Sequence, residues 1–179
     1  IVFKKKFLHL DYKMTMNPIL FLDRDGVINK KRNDYVKNIN EFEFLPNVLT
    51  ALKKLNHLGV SIIIITNQSV INRKIISEKQ LKKIHEYMLK IMKENSCEIT
   101  KIYYCPHHPD ELCNCRKPNT GMIEQAIKDF KIDLSNTLLI GDSDSDIQAA
   151  YKMKIKSIKM KTDGNLNDLI DDIEVLLFK

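Results

Sequence analysis

The chain has 179 residues, 44% of them apolar and 29% charged, and carries a formal net charge of +6. That length fits one compact domain with a sizeable core, and the composition excludes a disordered chain. No apolar run approaches the roughly 20 residues of a membrane span, so a cytoplasmic protein with no membrane partner is expected. The basic excess suits nucleic acid, an anionic surface or a phosphorylated metabolite. Only four of the 29 basic residues are Arg: Arg24, Arg32, Arg73 and Arg116.

Residues 1–16 carry a Lys4-Lys5-Lys6 cluster but no apolar stretch of signal-peptide length. They read as a leader or extension, expected to be poorly ordered, ahead of a single domain at 17–179. Ile19–Leu22 is a short apolar run ending at Asp23, and predicts a buried strand. A polar loop follows to about Asn40. Leu45-Pro46 opens a helix with Val48, Leu49, Leu52 and Leu55 on one face and Gly59 as its stop. The β-branched run Val60–Ile65 predicts a central strand. Ser77 caps the next helix with Gln80 at capping-box spacing, and Leu81, Ile84, Met88 and Ile91 form its stripe. Ile99–Tyr104 is another strand, and a loop rich in Cys, His and Pro runs from Cys105 to Pro118. Gly121–Phe130 is helical, Thr137–Ile140 a strand, Asp144–Lys152 a short helix, Ile155–Ile158 a last strand and Asn165–Phe178 a closing helix. Strands alternating with helices imply an α/β three-layer sandwich around a mostly parallel sheet, with ligands beyond the carboxyl ends of the strands.

Four polar clusters follow strand ends. Asp23-Arg24-Asp25-Gly26 closes the first, and two Asp at i and i+2 face the same side of an extended segment. Thr66-Asn67-Gln68-Ser69 follows the second strand, where hydroxyl, amide and N–H groups can hold a phosphate oxygen. Arg116-Lys117-Pro118 ends the Cys-rich loop. Gly141-Asp142-Ser143-Asp144-Ser145-Asp146 again puts carboxylates after a strand. Separately each reads as ordinary turn or cap chemistry; jointly, and in this order, they read as one site.

That order resembles the haloacid dehalogenase superfamily of phosphohydrolases over residues 18–178. The resemblance implies Asp23 as nucleophile, Asp25 as general acid and base, and Thr66 and Lys117 as stabilisers of the transferring phosphoryl group. It further implies a catalytic Mg²⁺ held by Asp23, Asp142 and the Asp25 backbone carbonyl. Asp146 is expected to support the site from behind, and Asp144 to cap its helix. Only about twenty residues separate Asp25 from the first helix, room for a flap and not for a large cap domain.

Cys105, His107, Cys113 and Cys115 make a C-x-H-x5-C-x-C pattern whose N and S donors suit a closed, structural Zn²⁺ site. His108 competes with His107 as the imidazole ligand. His9, His57 and His85 show no partner in the sequence. Phe21–Asn29, Thr66–Ser69, the Tyr35-Val36 to Phe44 stretch and Cys105–Pro118 are similar to the D-glycero-D-manno-heptose 1,7-bisphosphate 7-phosphatase family. This implies a phosphorylated sugar as substrate, with Arg116, Asn67, Ser69, Arg73 and Tyr35 near it, and a place in nucleotide-heptose synthesis; a monomer that binds no nucleic acid is the default expectation. Val70 and Asn119-Thr120 depart from that family's pattern. Histidinol-phosphate phosphatase, polynucleotide 3′-phosphatase and an idle binding protein on the same fold are the competing readings.

Overall fold

The computed structural model describes residues 17–178, so the expectation for residues 1–16 lies outside it. Five strands, β1 (Ile19–Leu22), β2 (Ser61–Asn67), β3 (Lys101–Cys105), β4 (Thr137–Gly141) and β5 (Lys156–Lys159), form one sheet in the order β3-β2-β1-β4-β5. Every neighbouring pair is parallel. The chain builds outward from β1 to β3, then returns to β1's other side with β4. The reversal leaves a crevice beyond the carboxyl ends of β1, β2 and β4, where such sheets bind ligands.

Side-chain alternation along the strands divides the core in two. Leu20, Leu22, Ile62, Ile64, Leu138 and Ile140 face one layer, where Leu52 and Leu55 of α1 (Val48–His57), Leu81, Ile84 and Met88 of α2 (Glu78–Glu94) and Ile173 of α5 (Ile170–Phe178) cover them. Phe21, Ile63, Ile65 and Leu139 face the other, against Met122, Ile123 and Ala126 of α3 (Gly121–Phe130) and Ala149 and Ala150 of α4 (Asp144–Lys152). A strand buried on both faces needs no polar alternation, which is why the Ile62–Ile65 run is uninterrupted.

The expected elements are present, with two differences. Ile91 is only partly buried, and Met92 takes its place in the core. The capping box at Ser77 forms as expected, with Gln80 N–H donating to the Ser77 hydroxyl and Gln80 Oε1 accepting from Ser77 N–H. The closing segment is not one helix. Asn165 accepts from the Asn167 N–H and starts a tight turn at Leu166–Leu169, and α5 begins only at Ile170.

Candidate active site

Asp23 stands one residue past β1, its N–H donating to Ile140 O of β4 at 3.0 Å. The chain then folds back on itself, with the Arg24 carbonyl accepting from the N–H groups of Ile28 at 2.8 Å and Asn29 at 3.1 Å. Gly26 makes this turn possible. Its φ is +88°, and a Cβ there would lie 2.5 Å from Asp142 Oδ2.

Lys117 is buried; its ammonium donates to Ile65 O at 2.7 Å and forms ion pairs with Asp23 Oδ1 at 3.0 Å and Asp146 Oδ1 at 2.5 Å. Burial lowers the ammonium pKa, but the two carboxylates outweigh it, and the net shift is upward. Asp23 moves the opposite way for its class. Burial raises its pKa, Lys117 lowers it, and the neighbouring Asp146 and Asp25 help push it up to about 6. Asp146 is the N3 residue of the α4 capping box, its Oδ2 accepting from Ser143 N–H and Oγ–H at 3.1 and 2.5 Å. Its expected supporting role is thus visible as a tether for Lys117. Asp144 does not cap. It is the first residue of α4, Ser143 holds the cap position, and Asp144 is exposed and paired with Lys159.

Asp25 faces a different set of partners. Oδ1 accepts from Arg24 Nη2 at 2.8 Å and Asn29 Nδ2 at 2.9 Å, and Oδ2 accepts from Arg24 Nη2 at 2.9 Å and Gln68 Nε2 at 2.8 Å. Burial raises its pKa, but the Arg24 charge and these hydrogen bonds win, and the carboxyl sits below its ordinary value. Gln68 also donates to Thr66 Oγ1 at 2.9 Å. The Thr66 hydroxyl, its oxygen so engaged, keeps its own proton free to donate into the crevice.

The carboxylates of Asp23, Asp142 and Asp146 offer oxygens within 4.8 Å of one another. Asp142 Oδ1 is buried with no hydrogen-bond partner, while its Oδ2 accepts from Lys31 Nζ at 2.7 Å and Thr162 Oγ1 at 2.8 Å. A concentration of hard, buried carboxylate oxygens with an orphaned atom fits a divalent cation such as Mg²⁺. The Asp25 carboxylate is not in this group, so any share Asp25 takes in a cation falls to its backbone. Cys105, His107, Cys113 and Cys115 form a second group on the same criterion. His107 Nδ1 lies 3.2 Å from Cys115 Sγ, and the Sγ–Sγ separations of 3.1, 3.5 and 3.6 Å are far longer than a disulfide. Such spacing fits thiolates arranged around one tetrahedral ion. His108 turns outward to Asp110.

The crevice, about 260 Å³, is lined by Asp23, Asp25, Thr66, Gln68, Arg116 and Asp142, and by Lys31, Arg32 and Tyr35 of the flap. A larger groove between α2 and β3, about 590 Å³, is lined by Glu78, Lys82, His85, Glu86, Lys101 and Tyr104 and includes none of the residues expected at the site. Three expected sugar contacts are placed differently. Asn67 lines the crevice, but its amide is engaged both ways with the Lys117 backbone, each bond 3.0 Å. Ser69 is buried, and Arg73 lies in an exposed turn; neither lines the crevice. Arg32 pairs with Asp34 and Glu41 on the flap. Among the two departures from the family's pattern, Val70 is fully buried core, and Asn119 donates to Cys113 O at 2.8 Å, stitching the Cys-rich loop. Sequence reasoning gave His85 no role, yet it is buried with Nε2 3.1 Å from Arg24 Nη1. A His on an otherwise apolar helix face was the available signal.

A family model described as polynucleotide kinase 3 phosphatase matches residues 18–169. A D-glycero-alpha-D-manno-heptose-1,7-bisphosphate 7-phosphatase of Photorhabdus laumondii is 44% identical over 144 residues, 76% of this chain and 78% of the relative. A D-glycero-beta-D-manno-heptose-1,7-bisphosphate 7-phosphatase of Helicobacter pylori is 40% identical over 154 residues, 86% of this chain and 88% of the relative. Among solved structures, the D,D-heptose 1,7-bisphosphate phosphatase of B. bronchiseptica, complexed with magnesium and phosphate, superposes with a TM-score of 0.78. It shares 30% identity and covers 87% of this chain and 86% of its own.

Proposed function

The chain belongs to the D-glycero-D-manno-heptose 1,7-bisphosphate 7-phosphatase family, on a haloacid dehalogenase-like fold, and from that premise we propose that it removes the 7-phosphate of this sugar bisphosphate. The observation that carries the reading is the meeting of Asp23 and Asp25 past β1, Thr66 at the end of β2 and Lys117 of the Cys-rich loop: the first three line one crevice, and the Lys117 ammonium pairs with Asp23 at 3.0 Å. A 3′-phosphatase acting on polynucleotides shares the catalytic groups, but the Cys-rich loop and both relatives above favour the sugar.

The reaction follows from where these groups stand. A carboxylate oxygen of Asp23 attacks phosphorus in line with the ester oxygen, and the phosphorus–O7 bond breaks. The electron pair stays on O7, which takes a proton from Asp25, a carboxylate in the free site that must take up that proton before this step, and heptose 1-phosphate leaves. Water then attacks the aspartyl-phosphate and gives its proton to Asp25; the Asp23–phosphorus bond breaks and inorganic phosphate is released. Thr66 Oγ–H and the Lys117 ammonium donate to the phosphoryl oxygens, in a site where both are already positioned before substrate arrives. Mg²⁺, when bound, would be held by Asp23, Asp142 and the Asp25 backbone carbonyl and would offset the repulsion between a carboxylate and a phosphate dianion. Arg116, with Tyr35 of the flap, faces the rest of the substrate, and Arg suits bidentate phosphate recognition.

Zn²⁺ on Cys105, His107, Cys113 and Cys115 is structural in this reading, four protein ligands leaving no open position. Its work is to fix the loop that ends at Arg116 and Lys117. Asn67 grips the same peptide from the β2 side, so the catalytic ammonium is held at both flanks. Phosphate release compared across the two heptose bisphosphate anomers, histidinol phosphate and a 3′-phosphorylated oligonucleotide tests the proposal. A clear preference for a heptose bisphosphate is expected, and equal rates on histidinol phosphate reject the substrate assignment while sparing the reaction class.

A further inference from the structure

Arg24 is an unusual neighbour for a crevice. It lines the crevice, yet its side chain is only 1% exposed and is paired with Asp25. Among the described residues, Asp25 is the carboxylate it pairs with. Its Nε is buried without a partner, so Nη1 and Nη2 alone fix the guanidinium plane. Nη2 bridges both Asp25 oxygens, and Nη1 meets His85 Nε2.

We propose that His85 is a positioning residue for the acid–base step, acting through Arg24 on Asp25; this rests on the reading of Asp25 given above. A guanidinium can only donate, so His85 Nε2 must present its lone pair and the ring must be the neutral Nδ1–H tautomer. Burial, helped by the Arg24 charge, drives the His85 pKa down to about 3. The ring therefore stays an acceptor across any working pH. It stands on α2 at the wall of the groove facing β3, with the Tyr104 ring edge-on at 5.9 Å. Without this acceptor the guanidinium loses one of its two anchors and is free to turn about Nη2. Asp25 then shifts relative to the leaving oxygen. Lys117 lies outside this chain of contacts and Thr66 joins Asp25 only through the Gln68 amide, so binding should suffer less than turnover.

The test uses the magnesium-loaded enzyme with heptose 1,7-bisphosphate, comparing His85→Leu, His85→Gln and Asp25→Asn. His85→Leu should lower kcat about 10- to 100-fold with KM within about twofold of the parent. His85→Gln, whose amide oxygen can accept from Nη1, should recover most of kcat. An unchanged kcat in His85→Leu, or equal losses in Leu and Gln variants, overturns the inference, because a merely structural role follows folding and not the acceptor. If His85→Leu does not fold, His85→Asn carries the comparison. Its oxygen falls short of Nη1, so the same loss is expected, and full turnover overturns the proposal. Asp25→Asn separates the two layers. Full activity there rejects the acid–base assignment and the relay with it, whereas loss there beside a fully active His85→Leu rejects the relay alone.

Discussion

The buried imidazole makes a prediction that needs no substrate. In the folded chain His85 ionises near pH 3, against an ordinary value of 6.5. Between those values the unfolded chain binds a proton that the folded chain refuses, so stability falls as pH falls through this window. Each pH unit is worth about 1.4 kcal/mol. By pH 4.5, two units below 6.5, His85 should therefore remove roughly 2 to 3 kcal/mol, a large part of a typical domain's stability. His85→Leu deletes this contribution. The variant starts lower at pH 7.5, by about 1–3 kcal/mol, because Arg24 Nη1 is left buried and unpaired. It should then lose less on acidification. Arg24, Asp25 and Tyr104, the charged and titratable neighbours of the ring, remain in both proteins. Urea unfolding at pH 7.5 and pH 4.5 reads the difference directly. The gap between the parent and His85→Leu should narrow or reverse by roughly 2 to 3 kcal/mol at the lower pH. A gap of the same size at both pH values would refute a neutral, accepting His85.

Gly141→Ala should lower kcat about 100-fold, because a Cβ there collides with the Asp146 carboxylate that tethers Lys117; unchanged steady-state rates would contradict that packing. Lys117→Met leaves the buried Asp146 and the partly buried Asp23 close together without their cation. Denaturant melts should show a loss of about 3–5 kcal/mol together with lost turnover, and a variant as stable as the parent would deny the tether. Removing zinc with a chelator and restoring magnesium should lower kcat and release Lys117, with zinc addition reversing both. Full turnover in the zinc-free, magnesium-loaded protein would break the link between the loop and the ammonium.

Much of this was legible in the sequence because it is local. The Ile62–Ile65 run, the Ser77–Gln80 capping box and the carboxylates after Leu22 and Gly141 each declare their structure within a few residues. The Cys-His pattern likewise needs only its own eleven residues. What escaped depends on contacts across the chain. His85 sits on a helix face with Leu81, Ile84 and Met88, where it reads as core, and its partner Arg24 is 61 residues away. Asn67 follows the strand like a substrate contact, but Lys117, 50 residues on, takes both ends of its amide. Arg73 lies beside Thr66–Ser69 in sequence, yet the turn after Val70 carries its side chain to the surface. Scarcity of Arg pointed to the right neighbourhood, and three of the four, Arg24, Arg32 and Arg116, line the crevice. Arg24 does something the count could not express, holding an acid from its buried side.

The most direct measurement of the central claim is the identity of the product. Heptose 1,7-bisphosphate turned over by the magnesium-loaded enzyme and followed by phosphorus NMR should lose its 7-phosphate resonance and keep the anomeric one, yielding heptose 1-phosphate and inorganic phosphate. Retention of the 7-phosphate with loss of the anomeric signal, or no phosphate release at all, would contradict the account.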